Sequence, residues 1–107
     1  LEAMQKASQL APTDAKITYN LGLLYSQTGN ITQGIQTMKQ AIQLKADYRD
    51  AYYALGLFYR QQAIDKNGTV INKDAEQQAV AQMHFVLQHF DKADKQVLEA
   101  LKNWGEE

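Results

Sequence analysis

The amino-acid sequence predicts an all-α fold, a superhelix of about six antiparallel helices closed by a C-terminal capping helix. Apolar residues recur at spacings of three and four, which is typical of amphipathic helices. Seven side chains also recur at an offset of 34 residues, which is typical of stacked helical pairs. A single proline in 107 residues further favours helices over loops and strands.

The repeat is carried by apolar and small residues. The residues that match at the offset of 34 are Leu21 with Leu55, Gly22 with Gly56, Leu23 with Leu57, Tyr25 with Tyr59, Met4 with Met38, Ala7 with Ala41, and Leu10 with Leu44. A looser third copy, Ala79, Met83 and Val86, follows the second copy after 45 residues, which makes this unit 11 residues longer. Glycine inside a helix is unfavourable by about 1 kcal/mol relative to alanine. Gly22 and Gly56 therefore indicate a close approach of the neighbouring helix.

The period of 34 and the pattern Leu-Gly-x-x-Tyr, present at 21–25 and 55–59, resemble the tetratricopeptide repeat family. The resemblance covers nearly the whole chain. It divides a single domain into a partial repeat at 1–12, a repeat at 15–48, an extended repeat at 49–90 and a capping helix at 94–104. Gly34, Ala46 and Thr18 depart from the residues usual in the family.

The residues also predict where the helices begin and end. The expected helices are 1–10, 14–28, 31–45, 48–64, 73–89 and 94–104. Asp14 and Asp94 are candidate N-caps, and Gly29 is a candidate left-handed cap. The extra residues are expected to lengthen two helices and to form a protruding loop at 65–69, with Val70 and Ile71 folded back.

Composition excludes several classes of function. A net charge of −1 is unsuited to non-specific nucleic-acid binding. No cysteine is present to act as a nucleophile or a zinc ligand. No apolar run approaches the roughly 18 residues of a membrane span, so we expect no direct membrane insertion of this segment. Neither a phosphate-binding glycine loop nor a catalytic motif is present, and the sequence predicts a non-enzyme without a cofactor or a metal.

Three weaker motifs have simpler explanations. Asp65, Asn67 and Thr69 resemble a calcium loop, but position six carries Val70 instead of glycine. The triplets that begin at Asn30 and Asn67 match glycosylation acceptors, although turn chemistry accounts for both. His84 and His89 are five residues apart and therefore do not share a helix face for metal binding.

The family resemblance implies that a peptide or an extended protein segment binds in a concave groove lined by the first helix of each unit. The residues at the groove positions are Lys16, Tyr19, Asn20, Leu23, Ser26, Gln27, Tyr53, Leu57, Arg60 and Gln61. Tyr19 and Tyr53 have an alternative role in packing between adjacent first helices, whereas Tyr25 and Tyr59 are expected in the core. The capping helix is expected to seal the array with Leu98, Leu101 and Trp104.

The sequence of the first helix indicates that the domain also associates with itself. Without a partner helix of its own, helix 1–10 would expose Leu1, Met4 and Leu10, which favours self-association. The chain begins with leucine and is expected to be a fragment of a longer protein. An alternative function is a C-terminal accessory tail of a larger bacterial enzyme or membrane protein, such as an envelope glycan polymerase or ligase. A cytoplasmic location is the default expectation, with tethering to a membrane protein as the alternative.

Overall fold

A computed structural model describes residues 2–106, and the described chain folds into six α-helices. Their bounds are α1 Glu2–Leu10, α2 Ala15–Gln27, α3 Ile31–Leu44, α4 Arg49–Ala63, α5 Lys73–His89 and α6 Lys95–Asn103. All six predicted helices are confirmed, and each end lies within one residue of its predicted position. Leu1 lies outside the described residues.

The helices pack as consecutive pairs. The pair α2 and α3 and the pair α4 and α5 make the most extensive contacts, and α3 packs on α4 to join the two pairs. Helix α1 packs on α2, and α6 packs on α5. The domain measures 42 × 31 × 20 Å along its principal axes. This order, in which every helix packs on the next, confirms the predicted all-α fold.

Side chains at the helix ends set these boundaries. Asp14 Oδ1 accepts a hydrogen bond from the backbone N–H of Ile17 at 3.0 Å, and Asp94 Oδ1 accepts one from Val97 at 3.2 Å. Both residues are therefore N-caps, as predicted. Gly29 adopts a φ of +84°, and the next N–H, that of Asn30, donates to the Tyr25 carbonyl at 2.8 Å. This left-handed residue ends the first helix of the repeat.

The two helical glycines provide the close approach expected of them. A Cβ atom placed on Gly22 would lie 2.9 Å from Met38 Cε, and one placed on Gly56 would lie 2.8 Å from Met83 Cε. Both methionines are fully buried. In each repeat, the second helix thus inserts a methionine against a glycine of the first helix.

The additional residues lie mainly between α4 and α5. An isolated antiparallel bridge joins Ile64 to Val70, and Asp65 Oδ1 accepts hydrogen bonds from the N–H groups of Asn67 and Thr69. This arrangement confirms the protruding loop and the folded-back Val70. The prediction for Ile71 is wrong, because its side chain is 67% exposed. Its backbone N–H donates to the Ala63 carbonyl, so only the main chain folds back.

Helix α6 closes one end of the core. Val97, Ala100 and Leu101 are buried against α5, and Trp104 packs on two core clusters, one that contains Leu55 and one that contains Met83. Trp104 and Leu101 therefore seal the array as predicted. Leu98 does not, since it is 45% exposed. It follows Val97 by one residue, which rotates it about 100° away from the buried face.

The two tyrosines predicted for the core differ in how deeply they are buried. Tyr59 is 9% exposed and belongs to the core, whereas Tyr25 is only half-buried. The hydroxyl of Tyr25 accepts a hydrogen bond from Gln5 Nε2 at 3.1 Å. Because α1 covers Tyr25 with a polar side chain and has no buried residue of its own, this tyrosine lies at the edge of the core.

Candidate functional site

The first helices of the repeats present the predicted groove residues at the surface. Six of the ten are half-buried and four are exposed, so each is accessible to a partner. The half-buried residues are Tyr19, Asn20, Leu23, Ser26, Tyr53 and Arg60, and the exposed ones are Lys16, Gln27, Leu57 and Gln61.

Two predicted residues meet in a pocket between α4 and α6. Tyr53 and Leu57 line a cavity of about 370 Å³, which we call the α4–α6 pocket. Its other lining residues come from α6 and its C-terminal end: Gln96, Glu99, Ala100, Asn103 and Trp104. A tyrosine, a leucine and a tryptophan offer apolar contact, and two amides and a carboxylate offer hydrogen bonds beside it.

The α6 residues were not predicted as groove residues, although the sequence contains the signal. Counting from the N-cap of each first helix, Glu99 stands five residues after Asp94, as Tyr53 does after Tyr48. Asn103 stands nine residues after Asp94, as Leu57 does after Tyr48. Helix α6 thus occupies the position that the first helix of a next repeat would have. The sequence analysis treats α6 only as a cap and therefore does not include its residues in the groove.

Arg49 connects the first helices on both sides of this pocket. Its Nε and Nη2 atoms donate to the two carboxylate oxygens of Asp94 at 2.9 and 2.7 Å. Its Nη1 atom donates to Asp50 at 3.0 Å, and its guanidinium lies 4.8 Å from the centroid of the Tyr53 ring. A bidentate pair of this kind fixes orientation as well as distance. Arg49 therefore holds α6 against α4 and positions Tyr53.

The same contacts shift the pKa values of both Arg49 and Asp94. The hydrogen bonds from Arg49 lower the pKa of Asp94, with the N–H of Val97 adding to the effect against the opposing influence of burial. The hydrogen bond to Asp94 raises the pKa of Arg49. Asp94 is therefore ionised at neutral pH, when it serves both as an N-cap and as the partner of Arg49.

Arg60 lies at the opposite end of α4 and has partners within the chain. Its guanidinium is 5.4 Å from the centroid of the Trp104 ring, and its Nη1 atom is 3.5 Å from Glu76 Oε2. These contacts orient the indole at the rim of the α4–α6 pocket. Arg60 thus supports the pocket wall in addition to adding positive charge beside it.

Tyr19 forms the aromatic surface of the neighbouring first helix. Its ring packs on that of Tyr48 with the centroids 5.1 Å apart. Burial raises the pKa of Tyr19, and the nearby carboxylate of Asp50 raises it further. The hydroxyl is therefore a neutral hydrogen-bond donor at pH 7. Tyr19 and Tyr53 both pack against core clusters, and each remains half-buried instead of fully buried.

The remaining α2 residues do not converge on one cavity. Lys16 and Gln27 lie near opposite ends of the helix, about 16 Å apart along its axis. Leu23 packs with Tyr19 against the same core cluster. The α2 side is thus an extended surface, whereas the α4–α6 side contains a defined pocket.

No cluster of three or more candidate metal ligands occurs among residues 2–106. The two histidines are both exposed, and the ring of His89 stacks on Phe85 with centroids 4.0 Å apart. Asp65 uses its Oδ1 atom to hold the turn at 65–69. In the same described residues, no helix is long and apolar enough to cross a bilayer.

Part of the chain matches a known protein family. Residues 15–48 match the family model described as tetratricopeptide repeat. These are the bounds predicted for the first complete repeat. No curated protein and no solved structure gives a significant match to the chain. The match identifies residues 15–48 as a tetratricopeptide repeat, and the period of 34 and the paired helices agree with it.

Proposed function

We propose that this domain binds an extended segment of a partner protein across its first helices. Tetratricopeptide repeats generally mediate protein–protein interaction. The observation that carries the specific proposal is the α4–α6 pocket, where Tyr53, Leu57 and Trp104 adjoin polar side chains, those of Gln96, Glu99 and Asn103. Aromatic residues in such positions contribute much of the binding energy at protein interfaces.

The pocket supports recognition of both side chain and main chain. Tyr53 and Leu57 would contact an apolar side chain of the segment. The amides of Gln96 and Asn103 would pair with its backbone, since an amide both donates and accepts hydrogen bonds. The segment would then continue over Tyr19 and along α2.

A peptide selected from a displayed library against the intact domain provides the test. Leu57→Glu places a charge in the pocket, and we expect the dissociation constant to rise at least about tenfold, equivalent to about 1.4 kcal/mol. Leu44→Glu is the matched control, because Leu44 is 37% exposed and Leu57 is 36% exposed. Equal affinities for the two variants would refute binding in the pocket.

Two further variants separate the roles of the pocket residues. Tyr53→Ala removes the aromatic contact and should weaken binding more than Arg60→Ala, which acts through Trp104. Binding that is unchanged in both variants would show that the groove has been assigned to the wrong surface. The alternative of an accessory tail on a larger bacterial enzyme or membrane protein stays a prediction.

We also propose self-association through α1. Leu10 is 79% exposed, Met4 is half-buried, and no residue of α1 is fully buried. Sedimentation of the isolated domain should show a mass that rises with concentration, and Leu10→Glu should abolish the rise. A strict monomer at high concentration would refute this proposal.

A further inference from the structure

A second cavity lies on a different face of α4, between α3 and α5, and has a volume of about 400 Å³. We call it the α3–α5 slot. Its floor consists of Tyr52, Leu55 and Tyr59 from α4, and its walls are Lys39, Ile42, Gln43, Gln78 and Gln82. Around the axis of α4, the floor residues are rotated from Tyr53 and Leu57 by roughly a third to a half of a turn, so the slot is separate from the α4–α6 pocket.

The floor is a fixed aromatic surface. Leu55 and Tyr59 are 3% and 9% exposed, and the hydroxyl of Tyr52 donates to the Ala46 carbonyl at 3.0 Å. The Tyr52 ring also stacks on Phe85 with centroids 4.5 Å apart. These contacts hold the floor in place without a ligand, which reduces the entropic cost of binding.

The walls offer polar groups without partners in the described part of the chain. The side-chain amides of Gln43, Gln78 and Gln82 make no hydrogen bond within residues 2–106. Three amides around one slot supply both donors and acceptors. Such a set pairs with the N–H and C=O groups of an extended peptide backbone.

The preceding repeat carries residues equivalent to some that line the slot. At the offset of 34, Gln5 and Tyr25 correspond to Lys39 and Tyr59, and Gln5 Nε2 donates to the Tyr25 hydroxyl at 3.1 Å. Thr18 corresponds to Tyr52, and its hydroxyl donates to the Asp14 carbonyl. The hydroxyls of Thr18 and Tyr52 are both paired, whereas the counterparts Gln5 and Lys39 differ. Gln5 donates to a tyrosine hydroxyl, but Lys39 lies over the Tyr59 ring and donates no hydrogen bond within residues 2–106, which leaves its charge available to a ligand.

Charge selects among possible ligands. Among the described residues that line the slot, Lys39 alone is charged, and its Nζ atom lies 5.7 Å from the centroid of the Tyr59 ring. We propose that the α3–α5 slot binds an extended acidic peptide segment. A carboxylate of the segment lies over Lys39, its backbone pairs with the three glutamines, and an apolar side chain rests on Tyr52 and Tyr59.

The test uses two libraries of terminally blocked pentapeptides, one with a fixed central glutamate and one with a fixed central lysine. Binding to the intact domain is followed through the NMR signals of the side-chain amides. We expect the glutamate library to shift the signals of Gln43, Gln78 and Gln82, and the lysine library to leave them unchanged. Shifts confined to Gln96 and Asn103, or no shift at millimolar concentration, would overturn the proposal.

A charge reversal provides the second measurement. Lys39→Glu should weaken binding of a glutamate peptide about tenfold and should give the domain a preference for the lysine library. Lys66→Glu is the control, because Lys66 is exposed in the loop at 65–69. Equal weakening by the two variants, or an unchanged preference in Lys39→Glu, would exclude recognition by Lys39. Amide shifts produced equally by a neutral oligosaccharide would identify the slot as a sugar site instead.

Discussion

The two repeats make the same packing contact with different lengths of chain. Gly22 meets Met38 in the first repeat, 16 residues further along the sequence, whereas Gly56 meets Met83 in the second, 27 residues further along. The methionine is fully buried in both. The packing of a glycine against a methionine is therefore independent of the connection between the helices.

The location of the 11 additional residues explains why the glycine–methionine contact is the same in both repeats. Helices α4 and α5 are only two and three residues longer than α2 and α3. Most of the difference lies in the segment 64–72, which is closed at its base by the bridge between Ile64 and Val70. A surface loop that is closed at its base adds length without moving the helices that it joins.

The largest expected effect comes from comparing the N-caps of α2 and α6. Asp14 caps α2 through one hydrogen bond, and replacing it with alanine should lower the free energy of unfolding by about 1 kcal/mol. Asp94 caps α6 and also binds Arg49, which would lose its partner, so Asp94→Ala should cost about 3 kcal/mol. Urea unfolding of both variants measures the difference, and equal losses would show that the Arg49 contact contributes nothing.

Acidic pH should reduce this difference in stability between the Asp14→Ala and Asp94→Ala variants. The pKa of Asp94 is lower in the folded state than in the unfolded state, so its stabilising contribution is present above the ordinary aspartate value of about 3.9 and is lost as the pH falls below it. The gap between the two alanine variants should narrow from about 2 kcal/mol at pH 7 to under about 1 kcal/mol at pH 3. A gap that does not depend on pH would contradict an ionic contact.

The next effect distinguishes the two glycines. The three atoms nearest to a Cβ on Gly22 all belong to the flexible side chain of Met38, whereas a Cβ on Gly56 also lies 3.3 Å from the Ala79 carbonyl oxygen. Alanine gains about 1 kcal/mol in helix propensity at either position. We expect Gly22→Ala to be within about 1 kcal/mol of neutral and Gly56→Ala to destabilise by about 2 kcal/mol. Thermal unfolding of the pair provides the measurement, and the reverse ranking would contradict the tighter contact in the second repeat.

The smallest effect should come from the loop itself. Inserting Gly-Ser-Gly between Asn67 and Gly68 should lower the free energy of unfolding by about 0.5 kcal/mol, because loop closure depends weakly on length. The same insertion between Thr28 and Gly29 interrupts the left-handed cap of α2 and should cost about 1 kcal/mol or more. Equal losses at the two sites would show that the loop in the second repeat is as constrained as the short turn.

Local signals in the sequence predict the helices well, because spacing, caps and glycines act over a few residues. Asp14, Asp94 and Gly29 have the roles expected of them. Contacts between residues that are distant in the sequence are harder to predict. Arg49 and Asp94 are 45 residues apart and meet only because α6 packs near α4. The same reason explains why the pocket shared by Tyr53 and Trp104 was not predicted.

The predictions that Ile71 and Leu98 would be buried are wrong for a different reason. Ile71 and Leu98 are apolar, and hydropathy alone assigns such residues to the core. Leu98 follows Val97, which is fully buried, and Ile71 follows Val70, which is half-buried. Hydrophobicity thus indicates that a segment packs, whereas the rotation along the chain decides which side chain is buried.

The equivalence of the two repeats is tested most directly by a pair of double-mutant cycles. One cycle combines Gly22→Ala with Met38→Ala, and the other combines Gly56→Ala with Met83→Ala. Because each methionine truncation makes room for the new Cβ, we expect a favourable coupling of about 1 kcal/mol in both cycles. A coupling in the first cycle with none in the second would show that the extended repeat does not reproduce the packing of the shorter one.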